Sequence, residues 1–300
     1  MRWKARWPSP RRDSRRGRAG NSVAWLDVRR QDLPEVASPV ASSVDLVLSG
    51  DDARGQHELV KPGLAGHTGR VTELGRHAPS GGREQIAETR QTYDLIASEY
   101  ARRNSVAAAE VAERLDELAA SVPAGRAVAD IGCGPGRDVK MLRARGLHVA
   151  GFDLSLGQLQ ASDVPGLVQA DMRRLPLRAG SVHGIWCWAA LVHLPREAVP
   201  QALAEFARVV HSGGSLVMSI AEGDGAGFEV AAPYGSDRRR WFTRYREPEL
   251  TALLTAAGFS IRNVRRHRAY RDWLSVHATR GPAGGPSEEA GQWFSGVMTG

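Results

Sequence analysis

The stretch that decides the fold is Val128–Asp138, VADIGCGPGRD. Small apolar residues lead to Asp130, and three glycines follow at alternate positions, Gly132, Gly134 and Gly136. This pattern predicts a strand, a tight turn and the start of a helix, with which an α/β sheet presents its backbone to a nucleotide-like ligand. Glycine suits such a turn because it adopts positive φ at little cost and has no Cβ to keep a ligand away.

The glycine spacing differs from that of a dinucleotide-binding turn. That fingerprint is G-x-G-x-x-G, whereas here the third glycine comes one residue early and Arg137 occupies the last position. A dinucleotide-dependent oxidoreductase is therefore kept only as an alternative.

The segments around this turn alternate between helical and strand patterns, which predicts a mostly parallel sheet with right-handed crossovers. Pro135 is expected at the first position of the following helix, which should end before Gly146. Upstream, Ser105 offers an N-cap to a second helix. A first helix should bury one face, formed by Ile86, Tyr93, Ile96, Ala97 and Tyr100.

The D-x-G-x-G-x-G run resembles motif I of class I S-adenosylmethionine-dependent methyltransferases. Similar segments follow in the family's order: Val149–Ser155, Val168–Leu177, Ser181–Pro195 and Ala207–Ile220. The resemblance covers roughly residues 85–280. It implies a Rossmann-like three-layer α/β sandwich, with a mostly parallel seven-stranded sheet, an antiparallel last strand and helices on both faces. Trp273–Ala278 is the candidate for the antiparallel strand.

The same resemblance implies an enzyme that transfers a methyl group from its cofactor S-adenosylmethionine to an unidentified small molecule. The methyl donor is a sulfonium cation without phosphate, so carboxylates and bare backbone suit it better than an anion hole. By resemblance, the residues that bind it are Asp130, Gly132, Cys133, Gly134, Gly136, Asp153, Leu154, Asp171, Met172, Trp188, Ala189, Tyr93 and Tyr100.

Several of these residues have a stated role. Asp153 follows the turn at close to the roughly 20-residue spacing of a ribose-binding acid, although it could also cap a helix. Asp171 and Met172 would meet the adenine. Trp188 and Ala189 would line the sulfonium side, where an aromatic face suits a cation.

Two further groups have open alternatives. Tyr93 and Tyr100 match a helix, Tyr-Asp-x-Ile-Ala-x-x-Tyr, that closes over the donor in similar enzymes, but plain amphipathic packing explains them equally well. His193 could be a general base because the pKa of imidazole lies near neutrality. Packing, or capping of the next helix, is the favoured interpretation of His193. No metal site is expected.

The segment Glu222–Arg246 is the candidate acceptor region. Its arginines and aromatic residues could hold an anionic or aromatic substrate, but a solvated run of surface charge is the favoured interpretation. The residues concerned are Arg238, Arg239, Arg240, Trp241, Phe242 and Tyr245.

Charge and composition limit the other classes. The chain has 300 residues, with 40 basic and 33 acidic side chains. Residues 1–30 hold ten of the basic ones against two acidic ones, so the remainder is nearly neutral and a nucleic-acid methyltransferase is disfavoured. A non-catalytic S-adenosylmethionine-binding regulatory protein remains an alternative.

Domain organisation and location follow from composition. We expect a disordered Arg/Gly/Pro/Ser-rich extension over residues 1–82, a methyltransferase domain over 83–280 and a disordered tail over 281–300. No membrane span or disulfide framework is expected, so the protein should be cytoplasmic, a monomer or a homodimer.

Overall fold

The computed structural model describes residues 82–282. The disorder predicted for residues 1–82 and 281–300 therefore falls, apart from residues 82, 281 and 282, outside the described part of the chain. The helices are α1 (Arg83–Arg103), α2 (Ala109–Ser121), α3 (Arg137–Ala144), α4 (Leu156–Gln160), α5 (Val199–Val209) and α6 (Glu247–Ala256). Within this range no helix is both long and apolar enough to cross a lipid bilayer.

Within residues 82–282, nine strands accompany these helices. They are β1 (Ala127–Ile131), β2 (His148–Asp153), β3 (Leu167–Gln169), β4 (Val182–Trp188), β5 (Val210–Ala221), β6 (Ala226–Val230), β7 (Arg239–Thr243), β8 (Phe259–Arg268) and β9 (Asp272–Arg280). Seven form one sheet in the order β3-β2-β1-β4-β5-β9-β8, while β6 and β7 form a separate antiparallel hairpin.

The large sheet confirms the predicted topology. Strands β1 to β5 are parallel, and β9 runs antiparallel to both of its neighbours, β5 and β8. The segment predicted as the antiparallel strand, Trp273–Ala278, lies inside β9.

Apolar side chains cover both faces of the sheet. On one face Val128 of β1 packs with Leu115 of α2 and Val139 of α3. On the other face Ile131 of β1 packs in a cluster with Phe206 of α5. Because neighbouring strand residues point to opposite faces, burial on both sides requires the continuous apolar runs seen in the sequence. The predicted three-layer arrangement is confirmed.

Two predicted helix starts are wrong. Helix α2 begins after Ala108, and the Ser105 hydroxyl instead donates to the carbonyl of Arg102 at the end of α1. Helix α3 begins two residues after Pro135, because the Gly136 N–H first closes a turn onto the carbonyl of Cys133. The end of α3 is as predicted, since Gly146 follows it with φ of 83°.

The strand order determines where a ligand can sit. Strands β2 and β3 lie on one side of β1, whereas β4 and β5 lie on the other. The connections from β1 and β4 therefore leave in opposite directions and open a crevice at the carboxyl ends of these strands.

Candidate functional site

A cleft lies at this carboxyl edge, with about 780 Å³ of empty space including its open mouth. Its wall contains most of the predicted site residues: Gly132, Gly134, Asp153, Leu154, Asp171, Met172, Trp188, Ala189, His193, Tyr93 and Tyr100.

The glycine turn is fixed against the end of β2. The N–H groups of Gly132 and Cys133 both donate to the carbonyl of Phe152, at 2.7 and 3.1 Å. Gly132 and Gly134 have φ of 74° and 52°, which side chains rarely adopt. A Cβ on Gly132 would lie 2.1 Å from the Cβ of Ala190, whereas one on Gly134 would meet nothing closer than 3.6 Å. Gly132 is thus required for packing, and Gly134 presents bare backbone to the cleft.

Asp153 is held in place by backbone donors. One carboxylate oxygen accepts from the Gly134 N–H at 2.9 Å, and the other accepts from the Ser155 N–H at 2.8 Å. Burial raises the pKa of Asp153, and these two backbone donors oppose that rise. Ser155, not Asp153, is the N-cap of α4. The carboxylate therefore sits at the cleft wall with a free lone pair left on each oxygen.

Asp171 and Met172 lie beside Asp153. The Ala170 N–H donates to the Asp153 carbonyl at 2.9 Å, which brings the residues after β3 to the cleft. The Asp171 carboxylate already pairs with Arg173, with its shortest contact at 2.6 Å. A ligand amine would have to share this carboxylate with the guanidinium.

Helix α1 covers the cleft and is tied to the start of α4. The Asp94 carboxylate accepts from the Ser155 hydroxyl at 2.6 Å and from the Gly157 N–H at 2.9 Å. The Gln158 amide donates to the Tyr93 carbonyl at 3.0 Å. These bonds hold the tyrosine-bearing face of α1 over the glycine turn, where the Tyr100 ring lies next to Gly134.

The end of β4 contributes Trp188 and Ala189. Among residues 82–282, Ala189 is the one non-glycine residue with positive φ, 53°, and its N–H donates to the Ser219 hydroxyl at 3.0 Å. Such local strain is common at functional sites. Trp188 stacks on Trp186 with centroids 4.9 Å apart. Trp186 is fully buried.

His193 forms a chain of hydrogen bonds with Tyr93. Its Nδ1 lies 2.7 Å from the Trp241 carbonyl, which can only accept, so the proton is on Nδ1. Its Nε2 then accepts from the Tyr93 hydroxyl at 2.8 Å, and Arg240 donates to the same phenol oxygen at 3.1 Å. Burial lowers the pKa of His193 to about 3 and raises that of Tyr93 to about 12. Both side chains are therefore neutral near pH 7.

Three predicted donor-binding residues do not line the cleft. The Cys133 thiol packs against Gly151, and Gly136 faces Val164, where a Cβ would approach to 3.0 Å. Asp130 is only 2% exposed, below the turn. Burial raises its pKa well above the usual value, and its Oδ2 has no hydrogen-bond partner.

Sequence reasoning missed some residues of the site. Ser155 and Gln158 line the cleft together with Ile86, Thr89 and Arg90. The Ser155 cap could have been found, because serine precedes a short helical pattern. The expectation of a solvated charge run is wrong for Arg240, which is buried, although Arg238 and Arg239 are exposed.

Known proteins share parts of this chain. Residues 129–218 match the family model of a methyltransferase domain. The malonyl-(acyl-carrier protein) O-methyltransferase of Serratia marcescens is 33% identical over 114 residues, which is 37% of this chain and 44% of that protein. The ubiquinone biosynthesis O-methyltransferase of Hahella chejuensis is 34% identical over 114 residues, 35% of this chain and 46% of that protein. The chain thus matches less than half the length of either relative.

Solved structures share the fold. The 1,6-didemethyltoxoflavin-N1-methyltransferase of Burkholderia thailandensis, solved with S-adenosylhomocysteine, has a TM-score of 0.53 and 22% identity, and the match covers 66% of this chain and 89% of that one. The (4+2) cyclase SpnF has a TM-score of 0.50 and 16% identity, with 64% and 94% covered. At these identities the likeness is one of fold.

Proposed function

This chain belongs to the class I S-adenosylmethionine-dependent methyltransferases, and from that premise we propose that it transfers a methyl group from S-adenosylmethionine to a small-molecule acceptor. The observation that carries the proposal is the Asp153 carboxylate, fixed at the cleft wall by the N–H groups of Gly134 and Ser155.

The residues present suit this donor. Asp153 can accept from the two ribose hydroxyls, since each carboxylate oxygen has an unused lone pair. Asp171 and Met172 would take the amine and the face of the adenine. The bare backbone at Gly134 admits the methionine part, and the unpartnered oxygen of the buried Asp130 favours a nearby positive charge.

When bound, S-adenosylmethionine supplies an electrophilic methyl group: its C–S electron pair passes to sulfur, a bond forms from the acceptor's O, N or C, and S-adenosylhomocysteine remains. The protein's part is to position the two molecules and exclude water. Helix α1, anchored by Asp94, closes one side of the cleft. His193 is the proposed base for an acceptor hydroxyl. Its Nε2 lone pair accepts from the Tyr93 hydroxyl and its pKa is about 3, so the acceptor must first displace that hydroxyl and would meet a weak base.

A second function has one observation in its favour. The fold is shared with a (4+2) cyclase, so the cleft architecture is compatible with a protein that does not transfer methyl groups. Such a protein would bind the donor without forming S-adenosylhomocysteine.

Calorimetric titration with S-adenosylmethionine, S-adenosylhomocysteine and NAD tests the proposal. We expect both sulfur ligands to bind and NAD not to bind. Asp153→Asn should weaken both, whereas Asp163→Asn, an exposed control, should not. Binding of NAD alone would indicate the oxidoreductase. Release of S-adenosylhomocysteine on addition of an acceptor library separates the transferase from the non-catalytic binder.

The remaining features stay predictions: a cytoplasmic location, a monomer or homodimer, and no nucleic-acid or membrane partner.

A further inference from the structure

A cluster of arginines and aromatic rings lies on the far side of Tyr93 from the glycine turn. We call it the arginine cluster; its members are Tyr93, Tyr234, Glu229, Arg240, Phe242 and Arg271. Strand β7 supplies Arg240 and Phe242 from one of its faces, and it packs on α1 and on the turn that carries His193. No local sequence pattern distinguishes Arg240 from its exposed neighbours Arg238 and Arg239.

Among the described residues, Arg240 is a buried cation without a direct ion pair, although Glu229 lies opposite it in the β6–β7 hairpin. It is 7% exposed, its Nε has no hydrogen-bond partner, and it donates to the Tyr93 hydroxyl at 3.1 Å. Among the carboxylates of residues 82–282, Glu229 pairs with Arg244 and Arg271, and none pairs with Arg240. A buried charge left in this state costs free energy that a bound anion would recover.

Arg271 adds a second donor to the same place. Its Nε is also buried without a partner. The guanidinium groups of Arg240 and Arg271 both lie over the Phe242 ring, 5.3 and 4.3 Å from its centroid. In the described part of the chain, Glu229 is thus the one carboxylate near three guanidinium groups, those of Arg240, Arg244 and Arg271. The net charge at this place is therefore positive.

Aromatic rings give the cluster its shape. The Arg240 guanidinium lies 5.5 Å from the Tyr93 centroid and 5.2 Å from that of Tyr234. Tyr270, at the tip of the β8–β9 hairpin, is 74% exposed and stands over Arg271 at 4.8 Å. The cluster is thus bounded by ring faces within and by the exposed ring of Tyr270 on its outer side.

We propose that the methyl acceptor is a planar molecule bearing a carboxylate, and that Arg240 and Arg271 bind this anion. The inference rests on the proposed function, because it places the acceptor beside the cleft that holds the donor. A guanidinium fork matches a carboxylate in geometry and charge, and the surrounding rings suit a flat body. Tyr93 and His193 lie between the arginine cluster and the cleft. The acceptor's carboxylate would therefore bind on the far side of these two residues, and its reacting atom would point into the cleft.

The test uses wild-type protein saturated with S-adenosylhomocysteine. Benzoate, salicylate, phenylacetate and 4-hydroxybenzoate are titrated beside the corresponding neutral amides, which match them in shape. At least one carboxylate should bind tenfold or more tightly than its amide. Arg240→Met should remove this preference and leave the affinity for S-adenosylhomocysteine within twofold. Arg239→Met is the matched control, since Arg239 is exposed on the same strand and pairs with Glu88.

Other results contradict the inference. No carboxylate preference in any pair overturns it, as does a preference that survives Arg240→Met. A fall in the Tm of ligand-free Arg240→Met, with probe binding unchanged, would make the guanidinium a structural tether. Loss of S-adenosylhomocysteine affinity in Arg240→Met would show that the Arg240 guanidinium binds the carboxylate of the donor instead of the acceptor. The proposed function would still hold. Failure of wild-type protein to bind S-adenosylhomocysteine would instead contradict the proposed function itself.

Discussion

Replacing His193 with glutamine should change how the stability of the protein depends on pH. The imidazole has a pKa of about 3 in the folded protein, mainly because of burial. The carbonyl of Trp241 opposes this shift, whereas Arg240 and Arg271 reinforce it. In the unfolded chain the pKa is near 6.5, so between these values the unfolded state holds a proton that the folded state lacks.

The sign and size follow from this difference. The contribution of His193 to folding stability falls as the pH drops below about 6.5, by about 1.4 kcal/mol per pH unit, and is constant above that range. At pH 5 the loss is about 2 kcal/mol, which for a domain of this size lowers Tm by about 4–8 °C. His193→Gln should be less stable at pH 7.5, because it loses buried hydrogen bonds, but its deficit should shrink by about 2 kcal/mol at pH 5.

Urea unfolding at pH 7.5, 6.5, 5.5 and 5.0 measures this difference directly. Wild-type protein and His193→Gln are compared, so contributions of other histidines cancel. His148→Gln is the matched control, because His148 is exposed at the start of β2. An equal pH dependence in wild-type protein and His193→Gln would refute the lowered pKa of a buried imidazole.

Four further substitutions separate binding from packing. Asp153→Asn should weaken S-adenosylhomocysteine binding by about 2 kcal/mol, roughly 30-fold, in calorimetry; unchanged affinity would remove Asp153 from the ribose site. Gly134→Ala should reduce the same affinity and cost only about 1 kcal/mol of stability, whereas Gly132→Ala should cost about 2–4 kcal/mol because its Cβ meets Ala190; equal stability losses would contradict the distinction. Asp94→Ala should lower stability by about 1.5–3 kcal/mol and speed proteolysis of α1, and a protected α1 would argue against its anchoring role.

The sheet and the donor side of the cleft follow from local sequence patterns. Each strand end and the glycine or acidic residue that follows it are contiguous in sequence, so they can be recognised locally. The stretch from Val128 to Asp138 therefore predicts both the turn and its role in ligand binding. The strand order then brings Asp153 and Asp171 to one edge, as the topology of parallel sheets requires.

The remaining contacts join segments that no local pattern relates. Tyr93 meets His193 across 100 residues and Arg240 across 147. A run of three arginines resembles exposed surface charge. Arg240 is buried, and Arg238 and Arg239 are exposed, because of how β7 packs against α1, which the local sequence does not indicate. The predicted starts of α2 and α3 are wrong for a similar reason. The Ser105 hydroxyl bonds back to the Arg102 carbonyl instead of capping α2, and the turn that Gly136 closes onto Cys133 moves the N-cap of α3 past Pro135 to Gly136.

A crystal structure of the protein with S-adenosylhomocysteine tests the central claim most directly. We predict the nucleoside in the cleft, with both ribose hydroxyls within hydrogen-bond distance of Asp153 and the amino-acid part along Gly134. Density for the nucleoside at any other place, or an Asp153 carboxylate that keeps only its backbone partners, would contradict the account.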